Sequence, residues 1–343
     1  MRLAPEMLLN LYFNGFRQPP NLKRPFFSRE SAVKPRGDVL SQVPPIIHPK
    51  IMRLVLKGPA KPDAAQAILA AAFEQWPTKT HCRYFILPGG FLEIPLPENW
   101  QGISGWEGRS KDKDAWSRLA DSVARPALEA LLTPQFYEAA RGKCDYLSLG
   151  LDIVSEQGMH GPHLELVAMA DIQKKKIIRW TGKSFPTRNQ DKQLIQVTDL
   201  GSHLLAQGKE RVVILGCNDL NLLSPRVSHN VKSTSPRGRL VRQMQALVKA
   251  FRPTVILQHP HETDTPNSWL TTWRHIENTL PSLRHWAGTV RYHNAHKAPR
   301  QPLERVLELT QGSSDPATAQ NIVIDTSAFV SRPSRYLNNF KWF

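Results

Sequence analysis

The clearest chemical candidate in the sequence is Cys217, which follows a short apolar run at residues 212–215 and a single glycine, Gly216. Such a run between charged and polar residues is typical of a strand that is covered on both faces of a sheet. Reacting groups in open α/β sheets lie at the carboxyl ends of the strands. We therefore predict that Cys217 is a nucleophile, with a buried structural thiol as the alternative. The next two residues, Asn218 and Asp219, are candidates for substrate contact.

A lysine after another predicted strand is the best partner for this thiol. Lys183 follows the strand predicted at residues 174–180. A nearby ammonium group favours the thiolate and so activates a cysteine, although by itself Lys183 also fits a solvated loop lysine. The sequence Gly182-Lys183-Ser184 lacks the preceding glycine of a phosphate-binding loop and follows the wrong kind of strand, which argues against a nucleoside triphosphatase.

Two histidines, His259 and His261, follow the strand predicted at residues 254–257. Together with Asp264 they have the residue types of a metal site, but such a trio is common by chance in a chain with 12 histidines. The sequence offers no further ligand cluster nearby, so we predict neither a metal nor another cofactor. His259, His261 and Trp269 are instead taken as candidates for lining the substrate site.

The elements that must position these residues alternate along the chain. We predict strands at residues 51–56, 82–87, 146–154, 164–170, 174–180, 212–215, 254–257 and 289–293, and helices at 62–76, 112–141, 193–205, 239–251 and 269–280. The strands at 146–154 and 164–170 are expected to be antiparallel neighbours. This order of elements indicates a layered α/β architecture.

The composition limits the class of protein. A chain of 343 residues with 41% hydrophobic content can bury a large core. It has no apolar run long enough to span a bilayer and no secretory signal pattern, so we expect a soluble, cytoplasmic protein. Its three widely spaced cysteines are expected to be free thiols. The net charge of +16 favours contact with nucleic acid or with an acidic protein.

The charge and proline distribution divides the chain into three parts. Residues 1–50 form a basic, proline-rich extension, residues 51–330 carry the regular alternation of strands and helices, and residues 331–343 form an aromatic tail. We expect the chemistry to belong to the middle part. The basic extension would serve a partner or remain solvated.

Local sequences at three strand ends resemble those of the nitrilase, or carbon–nitrogen hydrolase, superfamily. They are Pro88-Gly89-Gly90-Phe91, Lys183-Ser184-Phe185-Pro186, and Cys217-Asn218-Asp219 with Ser224-Pro225-Arg226. The resemblance spans roughly residues 51–295. It implies an αββα sandwich, a homodimer, and a Glu-Lys-Cys triad that acts on small amides or nitriles. On the matching positions, Lys183 is the lysine and Cys217 the nucleophile.

The glutamate of that triad is missing, because Gly89 occupies the matching position. Glu93, four residues further on, is the predicted replacement base, and Asp219 is an alternative. Two functions follow from this difference. The chain is either a thiol hydrolase of a carbon–nitrogen bond or a degenerate scaffold of the same fold that binds nucleic acid or protein.

Overall fold

The structure is a computed structural model of the chain. It describes residues 49–58, 64–100, 114–262, 267–292, 301–313 and 319–330. Nearly all of the predicted basic extension and the whole aromatic tail lie outside the described residues, as does Asp264.

The elements follow the chain order. The strands are β1 (Ile51–Lys57), β2 (Cys82–Ile86), β3 (Leu92–Pro95), β4 (Cys144–Ser155), β5 (Gly158–Asp171), β6 (Lys176–Gly182), β7 (Leu204–Gln207), β8 (Glu210–Leu215), β9 (Val255–Gln258), β10 (His285–Gly288), β11 (Val290–Tyr292), β12 (Gln311–Ser313) and β13 (Ala319–Asp325). The α-helices are α1 (Ala65–Glu74), α2 (Ala115–Leu119), α3 (Arg125–Leu131), α4 (Pro134–Ala140), α5 (Pro225–Asn230), α6 (Pro236–Phe251), α7 (Asn267–Thr279), α8 (Leu303–Leu309) and α9 (Ser327–Val330).

Two sheets are present in the described part of the chain. The first has eight strands and runs β11-β1-β2-β4-β5-β6, with β13 paired to β1 and β3 paired to β4. The second has five strands in the order β12-β10-β9-β8-β7. Strands β8, β9 and β10 are parallel, while β4, β5 and β6 are antiparallel as the sequence predicts for β4 and β5.

Alternate residues of the central strands explain how the sheets stack. In β8, Val212 packs in the cluster between the two sheets, whereas Val213 packs in the cluster under α6 and α7. On the other side of the molecule, Phe85 of β2 packs in a third cluster with residues of α1 and α4. The order of layers is therefore helices, first sheet, second sheet, helices. This confirms the predicted αββα sandwich.

The helix predicted at residues 193–205 is wrong. Ile195 and Val197 are extended and their backbone N–H groups bond to His163 and Lys183 across the neighbouring strands. Only residues 200–203 form a short 3-10 turn, which leads into β7. The β-branched side chains and these cross-strand hydrogen bonds outweigh the helical spacing of the apolar residues.

Three strands of the second sheet, β7, β10 and β12, were not predicted from the sequence. β10 pairs with β9 in parallel, but it has four residues and follows α7 with few apolar positions of its own. Among the described residues, no helix has the length and apolar character that crossing a bilayer requires.

Candidate active site

The turn that carries Cys217 is fixed by the carboxylate of Asp219. This buried carboxylate accepts hydrogen bonds from the backbone N–H groups of Gly216 at 3.2 Å, Ser184 at 2.9 Å and Phe185 at 2.7 Å. It therefore ties the turn after β8 to the turn after β6. Cys217 itself is half-buried, so its thiol is accessible from the site.

Gly216 allows these two turns to approach each other. A Cβ atom at this position would lie 3.0 Å from the Cα atom of Lys183 and 2.9 Å from the carboxylate of Asp219. Such distances are shorter than ordinary van der Waals contact, so a side chain here would push the Lys183 turn away from Cys217. The glycine before the cysteine thus brings the thiol and the ammonium group to one place.

Lys183 lies in a buried ion pair with Glu165 of β5. Its Nζ donates to Glu165 Oε1 at 2.7 Å and to Gln190 Oε1 at 2.6 Å. The Gln190 Nε2 in turn donates to Glu165 Oε1 at 2.7 Å. The side chains of Lys183 and Glu165 are only 2% and 3% exposed. The side chains of Lys183, Glu165 and Gln190 are therefore joined by hydrogen bonds, and the ion pair between the first two is buried.

Charge stabilises the ionised forms of this pair. Burial lowers the pKa of Lys183, but the hydrogen bond to Glu165 and the charge interactions with Glu165, Cys217 and Asp219 together raise that pKa above its ordinary value of 10.5. Burial likewise raises the pKa of Glu165, but the positive charges of Lys183 and His261 hold it well below its usual range. Both groups are charged at neutral pH.

The second oxygen of Glu165 lies beside the ring of His261. Among the described residues, Glu165 Oε2 has no hydrogen-bond partner, although it is buried. It lies 3.4 Å from His261 Nδ1, and the polar atoms of Glu165, His261 and Cys217 all lie within 4.8 Å of one another. Because this oxygen makes no regular hydrogen bond, its lone pairs remain able to accept a proton from a neighbouring group.

His261 borders the thiol with both its backbone and its ring. Its backbone N–H lies 3.4 Å from Cys217 Sγ. Its Nε2 lies 2.7 Å from Asp152 Oδ2 and 2.9 Å from Oδ1. Burial lowers the pKa of His261, but the carboxylates of Asp152 and Glu165 raise it well above its ordinary value of 6.5. The imidazole is therefore a cation at neutral pH.

The imidazole of His261 also explains why position 89 carries no side chain. A Cβ atom on Gly89 would lie 2.9 Å from His261 Nδ1 and 2.7 Å from the carbonyl oxygen of His259. One on Gly90 would lie 2.5 Å from Asp152 Oδ2. The ring and its carboxylate partner thus occupy the space next to the strand end where the resemblance implies a glutamate.

The other predicted site residues are distributed unevenly. Asn218 is half-buried and its amide donates to the carbonyl oxygen of Phe185, so it supports the turn. Trp269 packs beside the apolar cluster beneath α6 and α7, away from the two-sheet interior. Glu93 is exposed in β3, and the carboxylate beside Lys183 comes from Glu165 instead.

His259 is held by hydrogen bonds on both ring nitrogens. Its Nδ1 lies 2.7 Å from the carbonyl oxygen of Leu87, and its Nε2 lies 2.9 Å from Ser148 Oγ. Burial lowers the pKa of His259 to about 4, so the ring is neutral at pH 7. It is a structural link between the sheets.

Glu165 was missed in the sequence because it lies within a strand and not at a strand end. The signal that marks it is the pattern His163-Leu164-Glu165-Leu166, in which charged or polar residues alternate with apolar ones. Both faces of this strand are buried. A carboxylate on a buried face needs a partner. The sequence does not say that this partner is Lys183.

Glu165, Cys217 and His261 also have the residue types of a metal site. Their charges, however, are already balanced by protein groups. Lys183 binds the carboxylate of Glu165, and Asp152 binds the ring of His261. The arrangement suits acid–base and nucleophilic chemistry without a metal among these side chains.

Several solved structures of nitrilase-superfamily proteins are similar to this chain. An amidase from Nesterenkonia sp. AN1 is 14% identical, with a TM-score of 0.38 over 72% of this chain and 78% of that one. A variant of that amidase, with acrylamide added at its active-site cysteine, is 12% identical, with a TM-score of 0.40 over 72% and 79%. A Saccharomyces cerevisiae member of branch 10 of the superfamily is 13% identical, with a TM-score of 0.40 over 73% and 78%.

A scan against protein-family models gave no match, and neither did a search of curated proteins. The matched structures belong to the superfamily that the three strand-end sequences resemble. At these identities and TM-scores we assign chemistry to this chain from the geometry of its own site.

Proposed function

We propose that this chain is a thiol hydrolase that cleaves the carbon–nitrogen bond of a small amide or nitrile. The observation that carries the proposal is the buried ion pair of Lys183 and Glu165 beside the half-buried thiol of Cys217. Glu165 contributes one oxygen to the ion pair, and its second oxygen has no hydrogen-bond partner among the described residues.

The first step uses the oxygen of Glu165 that has no hydrogen-bond partner among the described residues. Glu165 Oε2 takes the proton of Cys217, and the resulting thiolate attacks the carbonyl or nitrile carbon of the substrate. Lys183 Nζ stabilises the negative charge that develops on the substrate oxygen or nitrogen. With an amide, the amine leaves with a proton and a thioester remains on Cys217. With a nitrile, attack gives a thioimidate, which adds water and releases ammonia to leave the same thioester. Water then hydrolyses the thioester to a carboxylic acid.

Two further contacts support the thiolate. The backbone N–H of His261 donates to Cys217 Sγ at 3.4 Å, and the charge of Lys183 is close enough to interact with the thiolate. Asp219 keeps the two turns together without touching the thiol. The nucleophile and the groups that stabilise charge are thus preorganised before a substrate binds.

The proposal is tested by ammonia release from a panel of short aliphatic and aromatic amides and nitriles. Wild type should release ammonia from at least one member and carry an acyl group on Cys217 during turnover, detected by mass spectrometry. Cys217→Ala should abolish both. Glu165→Gln should lower the rate by about 100-fold or more because the thiol loses its base. Absence of turnover and of acyl-enzyme in wild type across the panel would contradict the proposal.

We propose nucleic-acid binding as a second candidate, supported by the charges of α6. All charged residues of this helix are basic, and Arg239, Arg242 and Lys249 are exposed. A protein that neutralises phosphates loses affinity steeply with salt. A fluorescent single-stranded oligonucleotide should therefore bind about tenfold or more weaker at 200 mM than at 50 mM salt, and the triple Arg239→Gln, Arg242→Gln, Lys249→Gln variant should flatten that dependence. Absence of binding at 50 mM salt would contradict nucleic-acid binding.

A further inference from the structure

The imidazole of His261 lies where the resemblance implies the missing carboxylate. Its Nδ1 would be 2.9 Å from a Cβ atom on Gly89, and its ring covers both Gly89 and Gly90. In the superfamily that the segments resemble, one glutamate takes the thiol proton and later activates water. In this chain the imidazole of His261 occupies the space beside the strand end. Groups other than a glutamate at position 89 must therefore take the thiol proton and activate water.

Asp152 orients this imidazole. It binds Nε2 at 2.7 Å, so Nδ1 is turned toward Glu165 and Cys217. A carboxylate that holds one ring nitrogen while the other faces a nucleophile is the arrangement of cysteine and serine triads, which are recognised by geometry and not by order in the sequence. Asp152 lies in β4, Cys217 follows β8, and His261 follows β9.

Exposure to water separates His261 from Glu165. The side chain of His261 is 20% exposed, whereas that of Glu165 is 3% exposed and lies behind the ion pair with Lys183. A water molecule that attacks the thioester, or an amine that leaves, must come from the open side of the site. His261 is the acid–base group on that side.

We propose that His261, oriented by Asp152, transfers the proton of the leaving amine and of the attacking water, while Glu165 handles only the thiol proton. This inference rests on the proposed function and divides between two residues the work that the resemblance assigns to one. Asp152 is a positioning residue in this scheme, because it acts through the ring of His261.

The steps balance as follows. Glu165 takes the proton of Cys217, sulfur attacks the carbonyl carbon, and the tetrahedral intermediate collapses as Nδ1–H of the imidazolium protonates the departing nitrogen. The neutral imidazole then takes a proton from water, and the hydroxide attacks the thioester carbon. The carbon–sulfur bond breaks, the sulfur recovers its proton from Glu165, and the carboxylic acid leaves. Amide and water give acid and amine, and both residues return to their starting states.

The test compares two acetyl donors, p-nitrophenyl acetate and p-nitroacetanilide. The p-nitrophenolate group leaves without a proton, whereas the anilide nitrogen must be protonated as it leaves. With the ester, wild type should release a burst of one p-nitrophenol per chain and then turn over steadily as acetyl-Cys217 hydrolyses. With the anilide, acylation should also proceed.

His261→Gln should retain the ester burst but accumulate acetyl-Cys217, because hydrolysis of the thioester slows by about 100-fold or more. Its acylation by the anilide should fall by a similar factor. Asp152→Asn should change both rates in the same direction by less. His81→Gln, on a half-buried histidine in the loop before β2 that pairs with Asp145, should keep both rates.

Free imidazole provides a second readout that a purely structural role of His261 would not give. Added to His261→Ala, it should restore part of the deacylation rate, because the truncated side chain leaves room beside Gly89. If His261→Gln hydrolyses acetyl-Cys217 at the wild-type rate, or if it loses the ester burst as well, the division of roles is overturned. If wild type itself gives no burst and no acetyl-Cys217, the proposed function fails and this inference fails with it.

Discussion

At the scale of single residues, the absence of a side chain at position 89 determines where the acid–base groups of the site come from. The tight contacts around Gly89 leave no space for a carboxylate there. The sequence correctly marks this position as different from the resembled motif, but it suggests Glu93 as the replacement. In the structure, the carboxylate beside Lys183 comes from Glu165, which is near Lys183 because β5 and β6 are paired.

Adding a methyl group at position 89 should therefore destabilise the protein. In Gly89→Ala the new Cβ would meet the His259 carbonyl oxygen at 2.7 Å and His261 Nδ1 at 2.9 Å, and backbone cannot yield cheaply. We expect the free energy of unfolding in urea to fall by about 1–3 kcal/mol. Gly288→Ala is the matched control, because its nearest neighbour would be at 3.4 Å, an ordinary contact. Equal stability of the two variants would contradict the crowding at Gly89.

At the scale of elements, the site depends on two loops that one carboxylate joins. Asp219, in the turn after β8, accepts three backbone N–H groups, two of which belong to the loop after β6. The sequence proposed Asp219 as a substrate contact or substitute base. Its buried position and its hydrogen bonds give it a structural role between the two strands.

Replacing this carboxylate by an amide should loosen the connection. Asp219→Asn retains the size of the side chain, but its NH₂ group would face backbone donors, so at least one buried N–H loses its acceptor. We expect a loss of about 1–3 kcal/mol in the free energy of unfolding. Asp199→Asn is the control, because asparagine caps a helical turn about as well as aspartate. If Asp219→Asn is as stable as Asp199→Asn, the carboxylate does not join the loops.

The sequence predicted some elements correctly and others not. Strands with an uninterrupted apolar run, such as β8, were predicted because burial on both faces leaves a clear local pattern. The helix at residues 193–205 was wrong because its backbone hydrogen bonds go to distant strands, which no local window contains. The pairing of Glu165 with Lys183 was missed for the same reason, since two polar residues 18 positions apart meet only after the sheet forms.

At the scale of the whole molecule, the two sheets are linked across the site by His259. This residue follows β9 of the second sheet, and its ring binds Ser148 and the carbonyl oxygen of Leu87 in the first. Because the ring is fully buried and neutral, adding a proton to it destabilises the folded state relative to the unfolded state. Unfolding exposes the ring to water, where its ordinary pKa is 6.5.

The pH dependence of stability follows from this difference. The folded pKa of about 4 is lower than the ordinary 6.5, so below pH 6.5 the unfolded chain binds a proton that the folded chain does not. The free energy of unfolding should fall as the pH decreases from 6.5 to about 4, by about 3 kcal/mol from this residue. Urea unfolding of wild type and His259→Gln across this range isolates the effect as a difference between the two curves. Parallel curves would show that His259 does not titrate with unfolding.

The proposed function requires that the charge of Lys183 activates the thiol of Cys217, and the rate of iodoacetamide labelling at this thiol tests that requirement without a substrate. Cys82 and Cys144 are internal references, because both are buried and burial raises the pKa of each. Mass spectrometry at pH 7 would compare wild type, Lys183→Met, Glu165→Gln and the double variant, with far-UV circular dichroism to confirm that each is folded. The two substitutions should have different effects on the labelling rate. Lys183→Met should slow labelling of Cys217 by about tenfold or more. Glu165→Gln should not slow it, and the rate of the double variant should lie between those of the two single variants. Labelling of Cys217 that is equal in wild type and Lys183→Met, both folded, would contradict an activated nucleophile at this site.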